Sequence, residues 1–313
     1  MARNILITGG AGNVGGSLAR RLVEDPENRV VIVDNLSTGS REKLPAAHLR
    51  NWQFVNADCN RLDDMMPVMC ATKFDYVFHY AAVVGVKRTL ESPKLVLDDV
   101  KGIENVLGLA KATGVRRVFY SSSSEVYGEP VEFPQREATT PLNSRLPYAI
   151  VKNLGEAYFR SYHQEYGLEY TIFRFFNTYG PLQSTDFVVS RFIAQAIANE
   201  RITIYGDGSQ TRTFCYVDDN LDTIQKLLYD GIAVNEVINV GSDVETTVLA
   251  LAQRIRDVVG SSSPIVHLPP LKEGDMTRRL PDVSRMRAIL GRELTSLDEG
   301  IARTAEFLRD PMA

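Results

Sequence analysis

Short apolar runs alternate with longer amphipathic stretches along the N-terminal half of the chain. Asn4-Ile5-Leu6-Ile7-Thr8 leads into a glycine cluster and a helical stretch through Val23. Further apolar runs occupy Val30 to Asp34, Phe54-Val55, Tyr76 to His79 and Arg117 to Tyr120. Continuous Val/Ile/Phe runs separated by helix-length segments predict buried parallel strands with crossover helices, because strands covered on both faces have no need of polar alternation. The expected architecture is α/β, a doubly wound parallel sheet with a smaller C-terminal domain. From Thr178 the rhythm changes to a Gly-Pro turn, a helical segment near Phe192 to Ala198, and a run from Ile202 to Tyr205 ending in Gly206-Asp207-Gly208-Ser209. Val237 to Gly241 predicts one more strand returning to the first sheet, and Leu249 to Val259 and Asp298 to Leu308 predict amphipathic helices. The expected division is residues 1–177, with a returning segment near 213–241, followed by 178–313.

Composition narrows the class. A chain of 313 residues suits about two domains. Lys and Arg number 35 against 39 Asp and Glu, a net charge of −4 that does not suggest a nucleic-acid binder. Mean hydropathy is −0.13, and no run of about 18 uncharged apolar residues occurs, so no membrane span is expected. Met1-Ala2-Arg3 leads straight into an apolar run without a signal-peptide pattern, which makes a soluble cytoplasmic enzyme the expectation. Cys59, Cys70 and Cys215 are odd in number and widely spaced, as suits reduced thiols and not a zinc site, and no metal is expected.

Gly9-Gly10-Ala11-Gly12-Asn13-Val14-Gly15 follows the first predicted strand and opens a helix. The spacing of Gly9, Gly12 and Gly15 lets backbone approach a pyrophosphate, and the helix start supplies unpaired N–H groups and a favourable dipole. Alone, such a cluster could be an ordinary tight turn. Asp34 changes the balance: it lies 19 residues beyond Gly15 at the end of the second strand, where an acid can accept from both ribose hydroxyls and repel a 2′-phosphate. This predicts a Rossmann-like NAD site, with Asp58 placed to meet the adenine edge.

Tyr148 and Lys152 are four residues apart in a predicted helix and so share one face. An ammonium near a phenol stabilises the phenolate and makes tyrosine a usable base near neutral pH. Ser121-Ser122-Ser123-Ser124-Glu125-Val126-Tyr127-Gly128 follows an apolar run at the strand end where ligands bind in open α/β sheets. Four hydroxyls running into a carboxylate are costly to bury without a polar role.

These motifs, with Asp34-Asn35-Leu36, His79-Tyr80-Ala81-Ala82, Arg174-Phe175-Phe176-Asn177-Thr178-Tyr179-Gly180-Pro181 and Gly206-Asp207-Gly208-Ser209-Gln210-Thr211-Arg212-Thr213-Phe214, resemble the extended short-chain dehydrogenase/reductases that act as NAD-dependent nucleotide-sugar epimerases, dehydratases and decarboxylases. The resemblance covers nearly the whole length. It implies an NAD-binding domain followed by a nucleotide-sugar-binding domain. Its cofactor set would be Gly9, Gly12, Asn13, Val14, Gly15, Asp34, Asn35, Ser37, Thr38, Asp58, Cys59, Ala81 and Ala82, with Tyr148 and Lys152. It implies Tyr148 as the base for the sugar C4 hydroxyl, Lys152 as holder of the nicotinamide ribose, Ser123 as the hydroxyl shared with the substrate, and Ser124 and Glu125 as the positions that decide the fate of a 4-keto sugar. Lys87, Asn177, Arg212 and Arg279 would bind the substrate, a nucleotide sugar of the UDP-sugar kind, two arginines suiting a diphosphate through forked hydrogen bonds. A homodimer through helices Val100 to Ala112 and Leu154 to Tyr166 is also implied.

The dehydratases of this group carry Asp-Glu where this chain has Ser124-Glu125, which argues against 4,6-dehydration, since a serine hydroxyl is a poor proton donor to a leaving hydroxide. Ser-Glu and Arg279-Leu280-Pro281-Asp282 resemble UDP-glucuronate decarboxylases, whereas Ala81 to Pro93 resembles the loop of 4-epimerases and dehydratases. The reading is a 4-epimerase with retained NAD, with UDP-glucuronate decarboxylase as the alternative and a dehydrogenase releasing NADH or an inactive binding protein as remoter ones. Asn13 stands where an aromatic is usual, and Asp99 where asparagine is usual; since a buried unpaired charge would be costly, Asp99 is expected to be hydrogen-bonded or solvated.

Overall fold

The computed structural model describes residues 2–84, 89, 91–269 and 278–310. The strands are β1 (Arg3–Thr8), β2 (Asn28–Asp34), β3 (Trp52–Asn56), β4 (Tyr76–His79), β5 (Arg117–Ser123), β6 (Glu169–Phe175), β7 (Thr178–Tyr179), β8 (Ile202–Tyr205), β9 (Thr211–Thr213), β10 (Cys215–Tyr216), β11 (Glu236–Val240), β12 (Glu245–Thr247) and β13 (Ile265–Leu268). The chain divides into two compact units. The first comprises Met1–Gly128, Leu142–Arg174 and Leu227–Ile238; the second comprises Glu129–Pro141, Phe175–Lys226 and Asn239–Ala313.

A seven-stranded sheet in the order β11-β6-β5-β4-β1-β2-β3 organises the first unit. β1 pairs in parallel with both β2 and β4, β2 with β3, and β4 with β5. The order reverses direction at β1, the switch point that leaves a crevice beyond the strand ends. Ile5, Leu6 and Ile7 of β1 are fully buried, as the uninterrupted apolar run predicts for a strand covered on both faces. On one face Phe78, Phe119 and Phe173 stack in a row, with centroids 4.4 Å and 6.0 Å apart. On the other, Tyr120 stacks on Phe159 at 4.7 Å, which seats the helix Pro147–Tyr166 against the sheet. That helix starts with proline in its first turn and ends at Gly167 with φ +71°, both favoured boundary conformations. Glu169–Phe175 is a strand that the apolar runs did not mark; the charged Arg174 interrupts its pattern, and the structure shows that this side chain is buried.

In the second unit β8 pairs in parallel with β13, β7 with β10, and β9 antiparallel with β12. Helices Val188–Ile197, Val248–Val259 and Leu297–Arg309 pack together there. The last two begin on hydroxyl caps: Thr247 Oγ1 accepts from the Ala250 amide at 3.0 Å, and Ser296 Oγ from the Glu299 amide at 3.2 Å. Among the described residues, no helix is long and apolar enough to cross a membrane.

Candidate active site

The registers Thr8↔Val33, Thr8↔His79 and His79↔Tyr120 bring the ends of β1, β2, β4 and β5 to one edge of the sheet. The glycine turn lies there. The Gly9 amide donates to the Val33 carbonyl at 2.8 Å, and Gly9 adopts φ +71°. A β-carbon on Gly9 would stand 2.6 Å from the Ala81 backbone nitrogen, so only glycine lets the β1 and β4 ends approach this closely. The helix Asn13–Leu22 starts at Gly12 without a side-chain cap. Its first amides, including those of Asn13, Val14 and Gly15, point out of a helix N-terminus and suit an anion. This side-chain-free cradle fits the pyrophosphate of a dinucleotide.

Asp34, buried at the end of β2, accepts from the Ala11 amide through Oδ2 at 3.0 Å and from the Leu36 amide through Oδ1 at 2.8 Å. These bonds tie the acid to the glycine turn. Asn35, Ser37 and Thr38 are exposed beside it. Asn35 donates to Asp58 Oδ2 at 3.2 Å, and its own Oδ1 accepts from the Ser37 amide at 3.0 Å. The Cys59 thiol is buried and burial pushes it up to about 12, so this residue offers its backbone and no thiolate chemistry. Its carbonyl accepts from Asn105 at 2.9 Å.

Tyr148, Lys152, Ala81 and Ala82 line one pocket, together with His79 and Asp99. Tyr148 is half-buried, whereas Lys152 is 3% exposed and its Nζ lies 5.7 Å from the Tyr148 ring centroid. Lys152 Nζ also donates to Ser121 Oγ at 3.4 Å. Burial lowers Lys152 to about 8, and the negative charge of Asp99 opposes the shift. His79 exchanges a hydrogen bond between Nδ1 and Thr8 Oγ1 at 2.8 Å; burial, then the Lys152 charge, lower it to about 3, so its imidazole is neutral at working pH. No motif in the sequence marks His79 or Thr8 as a site residue in its own right. The signal that could have found them is a polar residue closing each of two apolar strands.

Ser123 and Ser124 are buried and Glu125 is half-buried, on the 3₁₀ turn Ser124–Tyr127 at the end of β5. Ser123 Oγ caps that turn by accepting from the Glu125 amide at 3.2 Å. Ser122 is structural, since its hydroxyl donates to Glu156 Oε1 at 2.7 Å. Asp99 is hydrogen-bonded, as expected, to the Val83 amide and to Asn60.

The second unit holds Asn177, Arg212 and Arg279. Asn177 takes φ +37° and donates from Nδ2 to the Thr213 carbonyl at 2.9 Å, fixing β9 beside it. Arg212 and Arg279 are each 7% exposed, while Arg278 forks onto Glu245 at 2.6 and 2.7 Å and is committed there. Lys87 lies outside the described residues. Among the described residues no cluster of His, Cys, Asp or Glu could hold a metal ion.

Comparison with known proteins agrees with this geometry. UDP-glucuronic acid decarboxylase 3 of Arabidopsis thaliana is 36% identical over 97% of this chain and 89% of its own. A UDP-glucose 4-epimerase of Thermotoga maritima, solved with UDP-glucose, superposes with a TM-score of 0.92 at 33% identity, over 99% of this chain and 100% of that one. The Thermus thermophilus UDP-glucose 4-epimerase, solved with NAD, does so with 0.89 at 27% identity, over 98% and 99%. Residues 5–241 match the NAD dependent epimerase/dehydratase family, and with the glycine cradle, Asp34 and the Tyr148–Lys152 pair in place, this chain belongs to that family of NAD-dependent enzymes.

Proposed function

We propose that this chain is a nucleotide-sugar 4-epimerase that oxidises its substrate at C4 and reduces the same carbon from the other face. The observation that carries the oxidation at C4, a step the decarboxylase reading shares, is the buried Lys152 ammonium 5.7 Å from the Tyr148 ring, on the helix that borders the pocket. The epimerase outcome follows the resemblance of residues 81–93 to the loop of 4-epimerases. The first unit would hold NAD through the amides at Gly12 to Gly15, the Asp34 carboxylate, the Asn35 to Thr38 and Asp58-Cys59 loops, and Ala81-Ala82. Bound NAD supplies a hydride acceptor that can also return the hydride. Tyr148 Oη takes the proton of the C4 hydroxyl, Lys152 stabilises the phenolate, and Ser123 Oγ shares the substrate hydroxyl and orients it. Return of that proton from Tyr148 completes the cycle with no other acid. Asn177, Arg212 and Arg279 of the second unit would bind a nucleoside diphosphate, a uridine one by analogy with the relatives.

Glu125 favours a second reading, decarboxylation of UDP-glucuronate, in which the 4-keto group accepts the electrons of the broken C–C bond. The decarboxylase relatives support it as well. Incubation with UDP-glucose, UDP-N-acetylglucosamine and UDP-glucuronate followed by mass analysis separates the outcomes. Unchanged mass at a new retention time supports the epimerase. Loss of CO₂ from UDP-glucuronate replaces it with the decarboxylase, and loss of water with a dehydratase. Stoichiometric growth of reduced-nicotinamide absorbance would overturn the closed cycle altogether.

Two further assignments belong to this proposal. Leu95, Leu97, Ile150 and Leu154 are large apolar side chains 40–48% exposed on or beside the helices that the resemblance places at a dimer interface, and a homodimer would cover them. A cytoplasmic location suits three free cysteines, of which Cys70 is exposed.

A further inference from the structure

Asp99 opens the helix Asp99–Thr113 and carries a carboxylate into the pocket that Lys152, Tyr148, Tyr120 and His79 also line. Its oxygens are fixed separately. Oδ2 accepts from the Val83 amide at 2.7 Å, and Oδ1 from Asn60 Nδ2 at 3.3 Å. Both donors are neutral. Lys152 is in the complementary position: its ammonium is out of water, and the hydroxyl of Ser121 that receives its hydrogen bond is neutral too. An anion and a cation that are each unfavourable when buried alone stabilise one another when they share a pocket.

We infer that Asp99 is a positioning residue for the Tyr148–Lys152 couple, its carboxylate clamped by Val83 and Asn60 as a fixed counter-charge that keeps the Lys152 ammonium protonated inside the pocket. The inference rests on the reading of Lys152 as the partner of Tyr148. Burial pushes Lys152 down while Asp99 opposes it, and burial pushes Asp99 up while Lys152 is among the groups that oppose it, so the two sides agree on an attraction.

Among the described residues, the other ionisable groups near Lys152 do not supply this charge. His79 from β4 is neutral, and burial raises the Tyr120 phenol of β5 far above neutral pH. Glu156, one turn along the same helix from Lys152, is committed to Arg174 and Arg160. Asp98 lies between Lys94 and Lys101, which pair with it. Glu125 lies on the turn that packs on the helix, outside the set of residues lining the pocket, and Asp58 acts on Asp99 only as a repelling neighbour.

The test is D99N, which keeps an acceptor for the Val83 amide and removes the charge. In protein loaded with NAD and labelled at lysine Cε with ¹³C, the Lys152 resonance is assigned by its loss in Lys152→Met and followed against pH. The apparent pKa is expected to fall by about one unit in D99N, as for the loss of one nearby opposite charge. The alkaline limb of kcat is expected to move the same way. An unchanged Lys152 titration overturns the inference, even if D99N melts earlier, because a purely structural role would alter stability alone. Where D99N does not accumulate, Asp99→Ser removes the same charge and is read identically. The resonance needs no sugar substrate: a shifted titration without turnover on any nucleotide sugar would sink the proposed reaction and leave this inference standing, and the converse result would do the opposite.

Discussion

Arg174 forks onto Glu156, Nε to Oε1 at 2.8 Å and Nη2 to Oε2 at 2.7 Å, with both side chains almost fully buried. The same Glu156 oxygen accepts from Ser122, and Arg174 Nη1 donates to the Tyr127 hydroxyl at 2.9 Å. The fork therefore grips both ends of the segment that carries Ser123, Ser124 and Glu125, and couples it to the helix that carries Tyr148 and Lys152. Glu156→Gln leaves the guanidinium charge buried without its counter-ion and is expected to cost about 3–5 kcal/mol in urea denaturation. Burial alone would raise the Glu156 carboxyl, but the Arg174 fork outweighs it and holds the group below its ordinary range. Its share of stability is thus present at neutral pH and disappears on acidification through that lowered value.

Tyr148→Phe removes only the oxygen proposed to transfer the proton. Turnover is expected to fall by about 100-fold or more while the purified protein keeps its NAD. Wild-type turnover in the variant would refute the assignment of the base.

Lys152 sets the alkaline behaviour. The group sits at about 8 in the folded chain, below its unfolded value, so folding favours its neutral form. Between these two values the unfolded chain holds the extra proton, and stability from this group rises with pH while activity falls as the ammonium is lost. A pH profile of kcat should bend down above about pH 8, with no acid limb due to His79, and thermal melts over the same interval should show no parallel loss from Lys152.

Gly9→Ala places a methyl group 2.6 Å from the Ala81 nitrogen at a positive φ. The turn must open, and NAD retained through purification, measured after acid release, is expected to drop by about tenfold or more, the equivalent of 1.4 kcal/mol. Full occupancy in the variant would show that the turn does not hold the pyrophosphate.

If Arg212 holds the diphosphate as proposed, Arg212→Ala should raise KM with little change in kcat, because such a clamp binds ground and transition states alike. A change confined to kcat would place this arginine at the reacting carbon instead.

The glycine turn, Asp34 and the Tyr148–Lys152 pair were legible along the chain because each is a local pattern: a spacing that only a strand-turn-helix satisfies, or two side chains one helical turn apart. The parallel sheet was legible for the same reason, since strands buried on both faces are written as apolar runs. Glu169–Phe175 was less so. Its Arg174 reads as a surface charge until Glu156, 18 positions earlier in sequence, is folded against it.

Residue types and their periodicity along the backbone determined the fold class, the glycine turn and the candidate base. The tertiary structure alone decided that Ser122 braces Glu156 while Ser123 caps the turn, that Arg278 is consumed by Glu245, and that Asp99 shares a pocket with Lys152. The reason is physical: a helix or strand period is set by neighbours a few bonds away, whereas the charge state and partner of a polar group depend on which distant segments exclude water from it.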